Sequence, residues 1–247
     1  MSAESVQPRN ILTPDDKLCR KLTRDESTAI RAGFDCINRG VLRQVLRPVT
    51  QIDSTIANSH EQTPYFHSGY DCDSLALESL TGFVKHFVPF FAKRPDAFLE
   101  LRTKSIAIGN LLNIPPVPNV VVAFSFTPAE TAVAVEHGCP SIRDRVHAAG
   151  ELAGAGWPIG IRLDPLLWYK GWRAGYDALI DKIATAIPSS ALHSASLGPL
   201  RFPSDMFQKI ERMYPEDKLL NGPLIRRNRF VSYSEPREAQ LLSFVEQ

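Results

Sequence analysis

The sequence predicts an α/β fold built on a parallel sheet, and three observations support that prediction. Five short strand candidates begin near positions 64, 98, 119, 157 and 192, and the two central runs, Phe98–Lys104 and Asn119–Phe126, are β-branched or aromatic and have the composition of buried strands. Helical segments separate most of these runs. Three of the four spacings between successive strand starts are roughly 30–40 residues, which is typical of repeated βα units, so the sheet is expected to be parallel and either open or barrel-like.

Each predicted element follows from a local pattern. Prolines, asparagines or polar residues bound the strands, and the helices place apolar residues three or four positions apart. The predicted strands span Thr63–Phe66, Phe98–Lys104, Asn119–Phe126, Trp157–Leu163 and Leu192–Leu197. The predicted helices span Asp25–Arg47, Thr50–Ser59, Leu75–Lys93, Ser141–Gly154, Trp172–Ile187, Asp205–Met213 and Glu235–Val245, with a short one before Asn119 and another that Gly138 ends. Residues 1–48 are predicted to be an irregular or helical head, 49–225 the main domain and 226–247 a tail.

The composition excludes several classes of protein. The 247 residues are 44% hydrophobic and 22% charged, which is ordinary for a globular chain with a large core. A net charge of +1 argues against strong nucleic-acid binding over the whole surface, while a local basic patch remains open. No apolar run approaches ~18 residues and no secretory signal begins the chain, so no membrane span and a cytoplasmic location are expected. The sequence does not indicate an oligomeric state.

The cysteines and histidines are too scattered to predict a metal site. Cys19, Cys36, Cys72 and Cys139 form no CxxC or CxxxCxxC motif, and the histidines form no HxxxH or HExxH motif. The expected alternative is a set of reduced thiols without a metal. The sequence therefore predicts no local zinc or iron–sulfur site.

Polar residues end the two central strands of the predicted sheet. Lys104 ends the second strand, and Ser125 lies at the end of the third. Because the carboxyl ends of parallel strands form the ligand crevice of α/β sheets, we expect these two side chains to lie close together. An ammonium and a hydroxyl suit a small anionic or zwitterionic ligand, and a surface charge or a solvated turn is the alternative. Arg162 and Asp164, at the end of the fourth strand, either line the crevice or form a structural ion pair.

The order of five sequence blocks resembles the spore photoproduct lyase family of radical S-adenosylmethionine (SAM) proteins. The blocks are SGYDCDSLALESLTGF, LELRTKS, VVVAFSFTP, LAGAGWPIGIRLDPLLWYKGWRAGY and RMYPEDKLL, within roughly residues 51–225. The resemblance implies a partial (β/α) barrel of the radical SAM type, with about five to six parallel strands. It also implies an activity, in which a 4Fe–4S cluster cleaves SAM. The resulting 5′-deoxyadenosyl radical then abstracts hydrogen from a cross-linked thymine dimer in DNA and reverses the damage.

The resemblance assigns roles to residues around the predicted crevice. Asp73 matches an aspartate that contacts SAM, Lys104 a lysine near the methionyl group, and Ser125 a serine at the end of the following strand. A helix cap is the alternative for Asp73. Cys72 stands near a cysteine that donates a hydrogen atom, although alignment on Asp73 places Tyr70 at that position. A buried structural cysteine is the alternative for Cys72.

A basic cluster near the carboxyl terminus is the best candidate for contact with DNA. Arg226, Arg227 and Arg229 lie close to Phe230 and Tyr233 in the sequence. The resemblance implies that this region approaches DNA. A solvated charged segment is the alternative for three arginines taken by themselves.

The sequence departs from the family in one motif. The CxxxCxxC motif, which supplies three thiolates to the cluster, is absent, and the chain is expected to begin after the segment that carries it. Two hypotheses therefore remain open. The chain is a radical SAM lyase that repairs a DNA photoproduct, or it is an inactive or truncated relative that acts as a SAM-sized ligand-binding or nucleic-acid-binding module.

Overall fold

A five-stranded parallel sheet organises the fold. The structure, a computed structural model, describes residues 49–58, 63–69, 72–217 and 219–246. The strands of the sheet are β1 (Tyr65–Ser68), β2 (Phe98–Thr103), β3 (Val120–Ser125), β4 (Ile159–Leu166) and β5 (Leu192–Pro199). Their order in the sheet is their order in the chain, and each neighbouring pair is parallel. The sheet curls into a partial (β/α) barrel, which confirms the predicted fold class.

Helices connect the strands in the manner of βα units. Residues 49–57 are helical and precede the sheet. The connecting helices are α1 (Glu78–Thr81), α2 (Phe83–Ala92), α3 (Gly109–Leu112), α4 (Ala129–Val135), α5 (Ile142–Gly154) and α6 (Trp172–Ala186). A 3₁₀ turn at Ser189–Ala191 follows α6. Ser141 caps α5 by accepting a hydrogen bond from the Asp144 amide at 3.2 Å, as the sequence predicts. Within the described ranges, no helix is both long and apolar enough to cross a membrane.

The predicted helix Leu75–Lys93 is in fact two helices, because Gly82 interrupts it. Gly82 has a φ of +58°, in the left-handed region that side-chain-bearing residues rarely adopt, and its amide donates to the Glu78 carbonyl to close α1. The chain then turns directly into α2. The predicted helix Asp25–Arg47 lies outside the described residues.

The two faces of the sheet differ in polarity. On the outer face, apolar side chains pack under α2 and α5 and are almost fully buried, and they include Leu99, Leu101, Val120, Val122, Phe124 and Ile159. Side chains alternate between the faces of a strand, so the intervening residues line the inner, concave face. The inner face carries the polar or small residues His67, Glu100, Arg102, Ala123, Ser125, Gly160, Arg162 and Ser194. The concave face is therefore mostly polar, whereas the outer face is apolar and packs against helices.

A small antiparallel sheet follows the barrel. It consists of β6 (Arg201–Pro203), β7 (Ile225–Arg227) and β8 (Phe230–Ser232), in the order β6-β8-β7. Helix α7 (Ser204–Met213) packs beside it, and helix α8 (Glu235–Val245) packs against β5. The sequence predicts both helices but not these strands, because three residues are too few to give a periodic pattern.

Candidate functional site

Lys104 and Ser125 lie side by side at the carboxyl edge of the sheet. Thr103 of β2 pairs with Phe124 of β3, so the next residue of each strand, Lys104 and Ser125, reaches the same level. Ser125 is buried, whereas the Lys104 side chain remains 37% exposed. The structure thus brings together the two residues that the strand-end pattern selects.

A buried ion pair connects these two residues. Lys104 Nζ donates to Glu136 Oε1 at 2.7 Å, and Arg145 Nη2 donates to Glu136 Oε2. Arg145 also donates from Nη1 to the Ser125 carbonyl at 3.1 Å and from Nε to the Pro140 carbonyl at 2.9 Å. The Arg145 side chain is only 1% exposed. Arg145 therefore fixes Glu136, and Glu136 holds the Lys104 ammonium next to the end of β3.

Sequence reasoning missed both members of this ion pair. Glu136 follows the last turn of α4 in a segment with no motif. The sequence does contain a signal for Arg145, because this residue lies on the same face of α5 as Ile142, Val146 and Ala149, all of which are buried. A charged residue on the buried stripe of a helix needs a partner, and here that partner is Glu136.

Asp73 ties the loop after β1 to the end of β2. Its Oδ1 accepts hydrogen bonds from the Leu75 and Ala76 amides at 2.9 and 2.8 Å and from Thr103 Oγ1 at 2.7 Å. Its Oδ2 accepts from the Lys104 amide at 2.6 Å. The carboxylate thus orders the loop and the backbone at Lys104. A direct contact between Asp73 and SAM stays a prediction.

Cys72 is exposed immediately before Asp73, so the alternative of a buried structural cysteine is wrong. Tyr70, the residue that alignment on Asp73 puts at the family's cysteine position, lies outside the described residues. A hydrogen-atom donor role for Cys72 stays a prediction.

A second ion pair lies deeper on the inner face. Arg162 on β4 reaches Glu100 on β2 with two hydrogen bonds, from Nε to Oε1 at 3.1 Å and from Nη2 to Oε2 at 2.6 Å. The side chains of Arg162 and Glu100 are only 6% and 2% exposed. Tyr65 OH donates to Glu100 Oε2 at 3.1 Å, and Arg162 Nη2 also donates to Ser194 Oγ at 3.0 Å. For Arg162, the structural ion pair was the correct alternative.

The pKa values in this cluster follow from its burial and charges. Burial acts to raise the pKa of Glu100, but hydrogen bonds from His67 and Arg162 outweigh burial and lower that pKa to about 2. Burial, together with the neighbouring Glu100 charge, raises the pKa of Tyr65. Burial and the Arg162 charge lower the pKa of His193. Glu100 is therefore ionised at neutral pH, and its charge is compensated by Arg162.

Gly160 makes room for this bidentate pair. A Cβ atom on Gly160 would lie 2.9 Å from Arg162 Nη2 and 2.9 Å from the Ala123 Cβ. The guanidinium therefore folds back over a position without a side chain and points away from the carboxyl edge. Asp164, two residues further along β4, is 34% exposed and faces Arg102 across 3.9 Å.

The predicted basic cluster divides into one engaged and two exposed arginines. Arg227 pairs with Glu238 at 2.7 Å and Glu235 at 3.0 Å, which accounts for its charge within the structure. Arg226 and Arg229 are exposed, and Phe230 next to them is also exposed. A nucleic-acid contact at these residues stays a prediction.

The described residues do not fit an iron–sulfur cluster. Within them, no group of three or more His, Cys, Asp or Glu side chains is arranged to hold a metal ion. Cys72 and Cys139 are both exposed, and Cys19 and Cys36 lie outside the described part of the chain.

Five parallel strands with polar side chains at their carboxyl ends form a partial (β/α) barrel of the radical SAM type. A family model described as spore photoproduct lyase matches residues 45–237, which is more than half of the chain. The chain belongs to the spore photoproduct lyase family.

Curated relatives match at moderate identity. The spore photoproduct lyase of Bacillus subtilis (strain 168) is 25% identical over 185 residues, which cover 74% of this chain and 54% of that protein. The Clostridium acetobutylicum enzyme is 23% identical over 161 residues, which cover 65% of this chain and 48% of that protein. The chain thus spans about half the length of these relatives.

Solved structures of the family share the fold. A double mutant of spore photoproduct lyase with bound AdoMet and dinucleoside spore photoproduct superposes with a TM-score of 0.73 at 22% identity, covering 82% of this chain and 62% of that one. A complex of spore photoproduct lyase with dinucleoside spore photoproduct gives a TM-score of 0.70 at 21% identity, covering 80% and 61%. At this identity the likeness extends to the fold.

Proposed function

We propose that this chain binds SAM at the carboxyl edge of the half-barrel, between the ends of β2 and β3. The Lys104 ammonium has three N–H donors, and Glu136 accepts one of them. The others are available to the methionyl carboxylate, and the Ser125 hydroxyl lies on the adjacent strand end. SAM supplies a 5′-deoxyadenosyl group when it is bound. A family member solved with bound AdoMet supports this proposal.

We further propose that the second ligand is a thymine photoproduct of DNA. Family members have been solved with dinucleoside spore photoproduct, and the inner face of this half-barrel is polar and concave. Exposed Arg226 and Arg229 offer charge for the phosphates of a longer strand. The function proposed for the described residues is therefore recognition of SAM together with a damaged thymine pair.

The single observation that carries the SAM proposal is the ammonium of Lys104 held beside Ser125 by the Glu136–Arg145 pair. Calorimetric titration with SAM tests it. We expect Lys104→Ala to weaken SAM binding by about tenfold or more, because a charge-assisted hydrogen bond is lost. Lys85→Ala, at an exposed position on α2, is the matched control and is expected to leave the affinity unchanged. Equal affinity in all three proteins, or no binding in any, contradicts the proposal.

The second candidate function is the complete lyase reaction, which family membership favours. It requires an iron–sulfur cluster, so iron content distinguishes it from recognition alone. Anaerobic reconstitution followed by iron analysis and visible absorbance is the test. About four irons per chain support the lyase. No incorporation leaves the recognition function as the proposal.

A further inference from the structure

Arg102 and Asp164 form an open pair of opposite charges on the inner face. Arg102 Nη2 lies 3.9 Å from Asp164 Oδ2, which is too long for a hydrogen bond. Their side chains are 18% and 34% exposed. Within the ranges that the structure describes, neither the guanidinium nor the carboxylate makes a side-chain hydrogen bond. Both groups therefore keep hydrogen-bonding capacity that a ligand can use.

The other charged groups of the inner face and the crevice are already engaged. Glu100 and Arg162 satisfy each other with two hydrogen bonds, and Glu136 receives both Lys104 and Arg145. An arginine and an aspartate that lie close together without a hydrogen bond between them are thus exceptional in this part of the molecule. An unfilled arrangement of this kind indicates a position for a third group.

The open pair lies beside the proposed SAM site. Arg102 pairs in register with Ala123, and Arg162, two residues before Asp164, pairs with Ser125. The two charged side chains therefore meet across β3, whose residues there are small. On the far side, a Cβ atom on Gly198 would lie 2.9 Å from Asp164 Oδ1. Strand β5 thus approaches Asp164 with backbone alone and leaves its carboxylate room.

A donor and an acceptor set next to each other complement the edge of a lactam or an imide. The ring N–H of such a group donates to a carboxylate, and the neighbouring carbonyl accepts from a guanidinium. Enzymes that act on bases read them through hydrogen bonds to this edge. The pair carries no net charge, which suits a neutral base better than it suits a phosphate or a carboxylate.

We propose that Arg102 and Asp164 bind the imide edge of one thymine ring of the photoproduct, with Asp164 accepting from N3–H and Arg102 donating to the adjacent carbonyl. The inference rests on the proposed function, since it names the contact that the second ligand makes. It places the damaged base next to Ser125, on the inner side of the SAM site.

Calorimetry with two forms of one probe tests this contact. The probes are dinucleoside spore photoproduct and the same compound methylated at N3 of its thymine rings. For the unmodified chain, we expect N3 methylation to weaken binding by about tenfold or more. For Asp164→Ala the methylation penalty is expected to shrink to about twofold, because the acceptor is already absent. Arg102→Met is expected to weaken binding of the parent probe, which is the dinucleoside without N3 methylation, by about tenfold.

Three further measurements keep the outcomes distinct. SAM titration of the same proteins is expected to give unchanged affinity, which also verifies that the variants are folded. Gly198→Ala displaces the Asp164 carboxylate and is expected to lower the affinity for the parent probe. Arg143→Gln, at a position whose side chain is 90% exposed on α5, is the charge control.

The outcomes separate this inference from the proposal it rests on. An equal methylation penalty in the unmodified chain and in Asp164→Ala overturns the inference, as does a loss of SAM affinity in Arg102→Met. Binding of SAM without binding of the dinucleoside also overturns it and leaves the SAM proposal standing. Absence of SAM binding contradicts the SAM proposal alone, because the dinucleoside titrations contain no SAM.

Discussion

The molecule holds two charge networks of similar composition that differ in how they end. Glu100 and Arg162, deep on the inner face, exchange two hydrogen bonds and are sealed from solvent. The network at the carboxyl edge also has a buried arginine and a glutamate, but it ends in Lys104, which is 37% exposed. The first network therefore closes on itself within the sheet, whereas the second leaves a charge at the carboxyl edge.

The largest expected effect is on the network of Glu100 and Arg162. We expect Arg162→Met to lower the free energy of unfolding by about 3–5 kcal/mol, because it leaves the Glu100 carboxylate buried without its cation. Urea denaturation measures this change. The double variant Glu100→Leu with Arg162→Met removes both charges and is expected to regain most of the loss. A single-variant effect below about 1 kcal/mol would show that this pair is no more than a surface-type ion pair.

The free energy of unfolding should also depend on pH through the pKa of Glu100. Its pKa falls from 4.5 in the unfolded chain to about 2 in the folded chain. The ionised carboxylate therefore stabilises the fold above pH ~4.5, and this contribution of about 3 kcal/mol is lost as the pH falls towards ~2. Urea denaturation at several pH values between about 5 and about 3 measures the slope. Glu100→Gln is expected to flatten it, and an unchanged slope in that variant contradicts the assignment.

The smallest expected effect is on the network at the carboxyl edge, which ends in Lys104. Lys104→Ala should lower the free energy of unfolding by less than about 1 kcal/mol, because Arg145 still compensates Glu136 and Lys104 is partly solvated. Thermal and urea denaturation check this expectation. A loss as large as that of Arg162→Met would make Lys104 a structural residue and remove the contrast between the two networks.

The sequence predicted the barrel better than it predicted the site. All five strands of the parallel sheet lie close to where the sequence predicted them. The prediction is simplest for β3, an almost continuous apolar run that is buried throughout, because burial on both faces of a strand is a local property of the sequence. The partners of charged residues are not local. Glu100 and Arg162 are 62 positions apart, and only the register of β2, β3 and β4 brings them together.

The strand-end rule found Lys104 and Ser125 because it depends only on where strands stop. It also selected Asp164, but it did not find Glu136, which lies in a connection between helices, or Arg102 as the partner of Asp164. Alternation along β2 puts Arg102 on the same face as Glu100, but only the fold shows which of the two arginines, Arg102 or Arg162, pairs with that glutamate. Partner choice among several like charges is decided by geometry that the sequence does not encode locally.

Gly160 has a consequence that reaches beyond its own strand. Because Gly160 has no side chain, the Arg162 guanidinium turns back towards Glu100. Its positive charge therefore lies away from the carboxyl edge of the barrel. The partly exposed charges that remain near the carboxyl edge are then those of Lys104, Arg102 and Asp164. A substitution among these partly exposed residues therefore changes the charge at that edge without opening the buried Glu100–Arg162 pair.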